Sequence, residues 1–251
     1  MHMRTRLLGA ALVLALSAAA CGDAGGDGAP TESTATTSST TTIASTTTTT
    51  TTTAAATPTE PAVDPAEVRL TTISVEDPVH GEFVFDAREA GPVDGEAVFL
   101  LHGFPSTSDQ WRHQIPALGQ AGYRVIAPDQ RGYSAGARPP DVEDYTLDKI
   151  AGDVVRMADL LGIDRFHLVG HDFGGAATWA IAGLHADRLL SVTSISTPHP
   201  TALIDTIGSD DSDQAERSSY VQTFVQEGSE LIFVAADGAA LRSLYASQGL
   251  T

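Results

Sequence analysis

The residues best placed to do chemistry are Gly170-His171-Asp172-Phe173-Gly174-Gly175. The apolar run Phe166 to Val169 leads into them, and a small-residue stretch with helical spacing, Gly175 to Leu184, leads out. This is a strand, a sharp turn and a helix, with Gly-x-Asp-x-Gly at the turn. The glycines allow a tight, strained backbone and the close passage of neighbouring segments. Such a turn lifts one side chain, Asp172, above the edge of a sheet. A carboxylate is ionised at neutral pH and is nucleophilic without a base to activate it. It is poorly suited to attack on amides and well suited to displacement at a saturated carbon that bears a leaving group. The plainer reading of Asp172 is an acidic helix N-cap.

Other chemistry-bearing side chains carry weaker readings. His102 and His171 each lie inside a turn and are expected to hold it by hydrogen bonds rather than to act as bases. His199 stands at a strand end between two prolines, where it could face a substrate. Trp111 is expected to pack a helix onto the sheet, with pocket lining as the sharper alternative. Asp129 follows a strand as a structural acid under a loop. Tyr220 has Phe224 one turn on, which fits either a helix packing face or a hydroxyl offered to a site. Gly132-Tyr133-Ser134-Ala135-Gly136 satisfies Gly-x-Ser-x-Gly, but Arg138-Pro139-Pro140 follows and forbids a helix there. Ser134 therefore lacks the turn a nucleophilic serine needs.

The elements that must position these residues read as follows. Val68 to Val75 and Glu82 to Phe85 form a leading hairpin through Asp77-Pro78. Ala97 to Leu101 is a short apolar strand of the kind buried on both faces. Ser108 to Ala121 is a helix despite Pro116, and Tyr123 to Ala127 is the next buried strand. From Thr146 a helix carries Ile150, Val154, Met157, Ala158 and Leu161 at helical spacing and stops at Gly162. Leu190 to Ile195 is a further strand. Alternating strands and helices predict right-handed crossovers and a mostly parallel sheet of the α/β class. The carboxyl edge of that sheet then gathers His102, Asp129, Asp172 and His199. After Pro200 the helices Gln214 to Glu227, Glu230 to Ala236 and Ala239 to Ser247 are expected with no strand between, as the start of a helical cap.

The first residues look like a targeting segment. Arg4 and Arg6 flank Leu7 to Ala20, which is uncharged and too short to span a bilayer. Residues 1–21 are thus a signal peptide, and 22–67, almost wholly Thr, Ser and Ala from Thr31 to Thr59, are expected to be a disordered linker. The core is expected over 68–199 and the partial cap over 200–251. Cys21 is the only cysteine, so no intrachain disulfide supports the fold. The net charge is −18 and Lys149 is the sole lysine. Such an acidic chain is a poor nucleic-acid partner. No metal-ligand cluster or phosphate loop is visible.

Two resemblances add to this. Leu16-Ser17-Ala18-Ala19-Ala20-Cys21 resembles a bacterial lipobox, with Ala18 where Leu is commoner. It implies a lipid anchor on Cys21 and an extracytoplasmic protein held at the membrane; an ordinary secretory signal is the alternative. The stretch from 82 to 200 resembles the α/β-hydrolase fold, its epoxide hydrolase branch in particular. The motifs are His102-Gly103-Phe104-Pro105 with Trp111 downstream, Pro128-Asp129-Gln130-Arg131-Gly132-Tyr133, and the Asp172 turn. In the cap, Tyr220-Val221-Gln222-Thr223-Phe224, with Gly228 and Glu230, resembles a segment that carries an epoxide-binding tyrosine.

The resemblance implies that Asp172 opens an epoxide to form an alkyl-enzyme ester, which water then cleaves to a diol without a cofactor. It implies that the backbone N–H groups of Phe104 and Phe173 face the oxyanion. It also implies that Tyr220 supports the departing oxygen, and that the substrate is small and hydrophobic. The family pattern also needs a later histidine and acid, two more strands and a second cap tyrosine. No His follows His199, so the chain is expected to be truncated in the cap, either as a fragment or as a shortened product. Haloalkane dehalogenase is one alternative, weakened because Phe173 stands where those enzymes place an indole N–H donor. Fluoroacetate dehalogenases place Arg there, which is also absent. A non-catalytic, lipid-anchored binding protein is the other.

Overall fold

The computed structural model describes residues 64–247. The expected signal peptide, Cys21 and most of the expected linker lie outside the described residues. Asp64 to Glu67, expected as linker, form a turn: Glu67 N–H donates to Asp64 O, and Pro65 O accepts from Gly91 N–H at 3.0 Å.

Six strands make one sheet in the order β1-β2-β4-β3-β5-β6. They are β1 (Arg69–Asp77), β2 (Gly81–Ala90), β3 (Ala97–Leu101), β4 (Arg124–Pro128), β5 (Phe166–His171) and β6 (Leu189–Ile195). β1 and β2 form the antiparallel hairpin, β2 joins β4 antiparallel, and the remaining pairs are parallel. β2 runs five residues beyond its expected end at Phe85. Phe83, Phe85 and Ala87 keep alternating inward, and Ala87 to Ala90 pair with Val125 to Pro128.

Helices cover both faces. α2 (Leu147–Leu160) and α3 (Phe173–Leu184) bury Ile150, Val154, Met157 and Ile181 against Phe99, Phe166 and Leu168. α1 (Gln114–Gln120) closes the other face over Val98, Leu100, Val125 and Ala127. The helix expected over 108–121 is two pieces, a 3₁₀ turn Ser108–Trp111 and α1. Pro116 falls in the first turn of α1, where its missing N–H costs nothing. β6 is the sheet edge among the described residues, and most of it is exposed.

The segment after β6 is helical: α4 (Pro200–Ile207), α5 (Gln214–Arg217), α6 (Tyr220–Phe224) and α7 (Glu230–Ser247). α4 was not expected, because Pro198-His199-Pro200 reads as a breaker. Instead Pro200 takes the first helical position, where its fixed φ suits the helix, and His199 Nδ1 caps Thr201 N–H. The helix expected over 214–227 is broken at Ser218-Ser219 and ends at Phe224. α7 is two helical pieces around Ala235 to Gly238, as the two expected helices require. No helix among the described residues is long and apolar enough to cross a membrane.

Candidate active site

The turn between β5 and α3 places Asp172 at the carboxyl edge of the sheet. Asp172 has φ 52° and ψ −116°, a conformation L-residues rarely adopt. Such a backbone costs roughly 1–3 kcal/mol and persists only where its surroundings hold it. Its N–H donates to Ile195 O at 3.1 Å, and its carbonyl accepts from Ala176 N–H at 3.0 Å and from Thr197 Oγ1 at 2.8 Å. Gly174 is required here, because a Cβ would lie 2.2 Å from Leu101 O. α3 therefore begins directly at Phe173, two residues earlier than the sequence spacing predicts.

The carboxylate meets the turn after β3. Phe104 N–H donates to Asp172 Oδ1 at 3.1 Å. Phe173 opens α3, so its N–H has no acceptor within the helix and points out of the helix N-terminus. One backbone donor, the Phe104 N–H, thus engages the carboxylate. The Asp172 side chain makes no N-cap bond to its own helix.

His102 fixes the Phe104 turn. It is fully buried, its Nε2 accepts from Gln130 N–H at 3.1 Å, and Nδ1 contacts Gly103 O at 3.1 Å. Burial pushes its pKa down to about 4, so it is a neutral brace. Asp129 Oδ1 accepts from Ser108 N–H at 2.6 Å under the same loop. Ser134 is fully buried, donates to Asp129 O at 2.7 Å and accepts from Asp86 N–H at 3.0 Å. Its hydroxyl is consumed structurally.

The cap helices lie against this turn through aromatic rings. Phe104 stands 5.6 Å from Phe224 and 5.5 Å from Phe233, and Tyr220 stands 5.5 Å from Phe224. Tyr220 is half exposed, and burial together with the Asp172 charge pushes its hydroxyl pKa up. Two further tyrosines, which the sequence reading did not single out, share this neighbourhood. Tyr133 packs edge-on to His102 at 4.5 Å, and burial, then the Asp172 charge, push its pKa up. Tyr245 of α7 donates to Pro105 O at 2.8 Å. The signal for Tyr133 was its place in the Pro128-to-Tyr133 motif; Tyr245 had none.

Of the two residues weighed as substrate contacts, Trp111 takes its packing alternative and His199 stands at the start of the cap. Trp111 is 4% exposed and enclosed with Val98, Leu100 and Ile115, so it packs α1 onto the sheet and does not line the site. His199 caps α4 and stands edge-on to Trp179 at 5.0 Å, exposed at the start of the cap. Among the described residues no group of three or more His, Cys, Asp or Glu could hold a metal.

The model of a family described as alpha/beta hydrolase fold matches residues 96–230. The chain is 42% identical over 141 residues to Epoxide hydrolase A of Mycobacterium tuberculosis, covering 56% of this chain and 39% of that protein. It is 47% identical over 104 residues to Epoxide hydrolase B of the same organism, covering 41% and 29%. Among solved structures, an epoxide hydrolase from Vigna radiata superposes with a TM-score of 0.56 at 28% identity, covering 71% of this chain and 54% of the other. The chain thus spans well under half the length of these curated relatives.

Proposed function

Because the chain belongs to the alpha/beta hydrolase fold family, we propose that its chemistry is the hydrolysis of small hydrophobic epoxides, begun by Asp172. The observation that carries this is the bond from Phe104 N–H to Asp172 Oδ1. It engages one carboxylate oxygen and leaves Oδ2 to attack. Oδ2 forms a bond to an epoxide carbon while that carbon's ring C–O bond breaks. The ring oxygen takes a proton from the Tyr220 hydroxyl as it leaves. The product is an alkyl ester of Asp172. Water gives a proton to a general base as it adds to the ester carbonyl, and the negative charge collects on Oδ1, facing the N–H groups of Phe104 and Phe173. Collapse breaks the ester C–O bond, the departing oxygen takes that proton to complete the diol, and the Asp172 acid returns its own proton to Tyr220. Neutral His102, with both ring nitrogens engaged, is not that base.

Ester formation tests this directly. The chain is incubated with styrene oxide and digested, and the Asp172 peptide is weighed by mass spectrometry. The expected result is one added styrene oxide mass on Asp172, absent from Asp172→Asn. An unmodified Asp172 in the unchanged chain would sink the proposal. Phe173 provides no side-chain N–H to hold a halide, which sets the dehalogenase reading second.

The sequence motif at Cys21 supports a second, separate reading: the chain is lipid-anchored outside the cytoplasm, with the Thr-rich segment as its stalk. Labelling in a bacterial host with an alkyne fatty acid should mark the unchanged chain and not Cys21→Ala. Equal labelling of both would exclude it.

A further inference from the structure

We propose that Thr197 is a positioning residue for the Asp172 turn, setting the direction of the Phe173 N–H through the peptide plane it holds. The inference rests on the proposed role of Asp172. Thr197 lies two residues past the end of β6, after Ser196, which has φ 59°. Its hydroxyl donates to Asp172 O at 2.8 Å. Its own carbonyl is held from two directions, by Ser194 Oγ at 2.8 Å and by Trp179 Nε1 at 3.1 Å. Trp179 belongs to α3 and Ser194 to β6, so Thr197 is tied to the helix that leaves the turn and to the strand beside β5.

The consequence follows from peptide geometry. The carbonyl of Asp172 and the N–H of Phe173 belong to one rigid plane and point in opposite directions. Whatever holds the carbonyl aims the N–H. The helical bond from Ala176 N–H satisfies one lone pair of that carbonyl, and Thr197 satisfies the other. With φ at 52° this peptide has no low-energy backbone well to rest in. Without the hydroxyl it can tilt, and the Phe173 donor tilts with it. The fit is close, since a Cβ on Gly175 would lie 2.5 Å from Thr197 Oγ1. A larger residue is excluded, so the informative substitutions are smaller.

Thr197→Ala removes the hydroxyl, and Thr197→Ser keeps it while losing the methyl. With the full chain esterified by styrene oxide and freed of excess epoxide, hydrolysis of the Asp172 ester should be about tenfold slower in Thr197→Ala, because the oxyanion formed in that step loses the aim of the Phe173 N–H. The rate of ester formation should change less than this, and Thr197→Ser should stay within about twofold of the unchanged chain. Equal rates of ester hydrolysis in the two variants would overturn the proposal. A second measurement needs no reaction: by NMR, the Phe173 amide proton, which shares the held peptide plane, should shift in Thr197→Ala and keep its position in Thr197→Ser. An unmoved Phe173 resonance in Thr197→Ala overturns the positioning role even if Asp172 reacts. If the unchanged chain forms no ester, the proposed reaction falls, and the amide comparison alone decides Thr197.

Discussion

Gly103 and Asp172 come so close that a Cβ on the glycine would lie 2.7 Å from Cβ of the aspartate. The same Cβ would lie 2.8 Å from His171 Nδ1. The turn that carries the Phe104 donor is thus pressed directly onto the turn that carries the carboxylate. Their hydrogen bond depends on the absence of one side chain.

Gly103→Ala should therefore separate the two turns. Overpacking of this kind costs about 1–3 kcal/mol. Urea unfolding should register that loss, and hydrolysis of the Asp172 ester should slow at least about tenfold as the Phe104 donor is drawn away from the oxyanion. Wild-type stability and rate in this variant would mean that the turns are loosely apposed.

Tyr220→Phe removes only a hydroxyl from a half-exposed ring. Its edge-on contact with Phe224 survives, so unfolding should be unchanged. Ring opening of styrene oxide should slow at least about tenfold, because the departing oxygen loses its donor. An unchanged rate would transfer that role to another group, Tyr133 being the nearest in kind.

Arg131 is the largest fully buried side chain and sits away from the chemistry. It forks onto Asp153 at 2.8 and 2.7 Å, reaches Asp77 at 2.8 Å and donates to Asp144 O at 3.0 Å. Its guanidinium also lies 4.8 Å from the centre of the Phe83 ring. Arg131→Met takes the shared guanidinium from two buried carboxylates, leaving Asp153 with Arg156 at 2.7 Å and Asp77 with the N–H groups of Val79 and His80, a loss of about 3 kcal/mol. Urea titration at neutral pH checks this. A loss below about 1 kcal/mol would show that the acids are neutralised or rehydrated locally.

Acid should weaken the fold in two stages. His102 is buried as the neutral ring, its pKa pushed down to about 4 by desolvation, against 6.5 when exposed. Its contribution is complete above 6.5 and is lost as pH falls from there to 4. Burial alone would raise the pKa of Asp77. The N–H groups of Val79 and His80, with Arg131, overcome that and lower it to about 2 from 3.8. Its contribution, about 2 kcal/mol, is lost only as pH falls below 3.8. Denaturant midpoints from pH 8 to 5 should fall in the unchanged chain and flatten in His102→Gln. Parallel curves would remove His102 as the cause.

The Asp172 turn was legible because its glycines, the apolar run before it and the helical spacing after it are all local signals. The turn at His102 to Pro105 was legible as a motif for the same reason. Trp111 was legible as packing, since its spacing to Ile115 and Leu118 is helical. Thr197 was not, because its role exists only once β6 is laid beside β5 and the turn is strained. The Arg131 cluster joins residues 54 apart in sequence at Asp77 and 22 apart at Asp153. Its one local hint was Asp153, an acid on the apolar face of α2 between Ile150 and Val154. The cap boundaries were least legible. Pro200 can end a segment or start a helix, and spacing alone cannot distinguish a helix that breaks at Ser218-Ser219.

β6 bears on how the chain behaves at high concentration. Leu189-Leu190-Ser191-Val192-Thr193-Ser194-Ile195 contains no charge and no proline, and no strand pairs with its outer edge among the described residues. Nothing in the strand itself discourages a second molecule from pairing there. The edge is as ready to take a further strand of a hydrolase sheet as a foreign one, and the charge of −18 opposes only the foreign one, over about 10 Å at moderate salt.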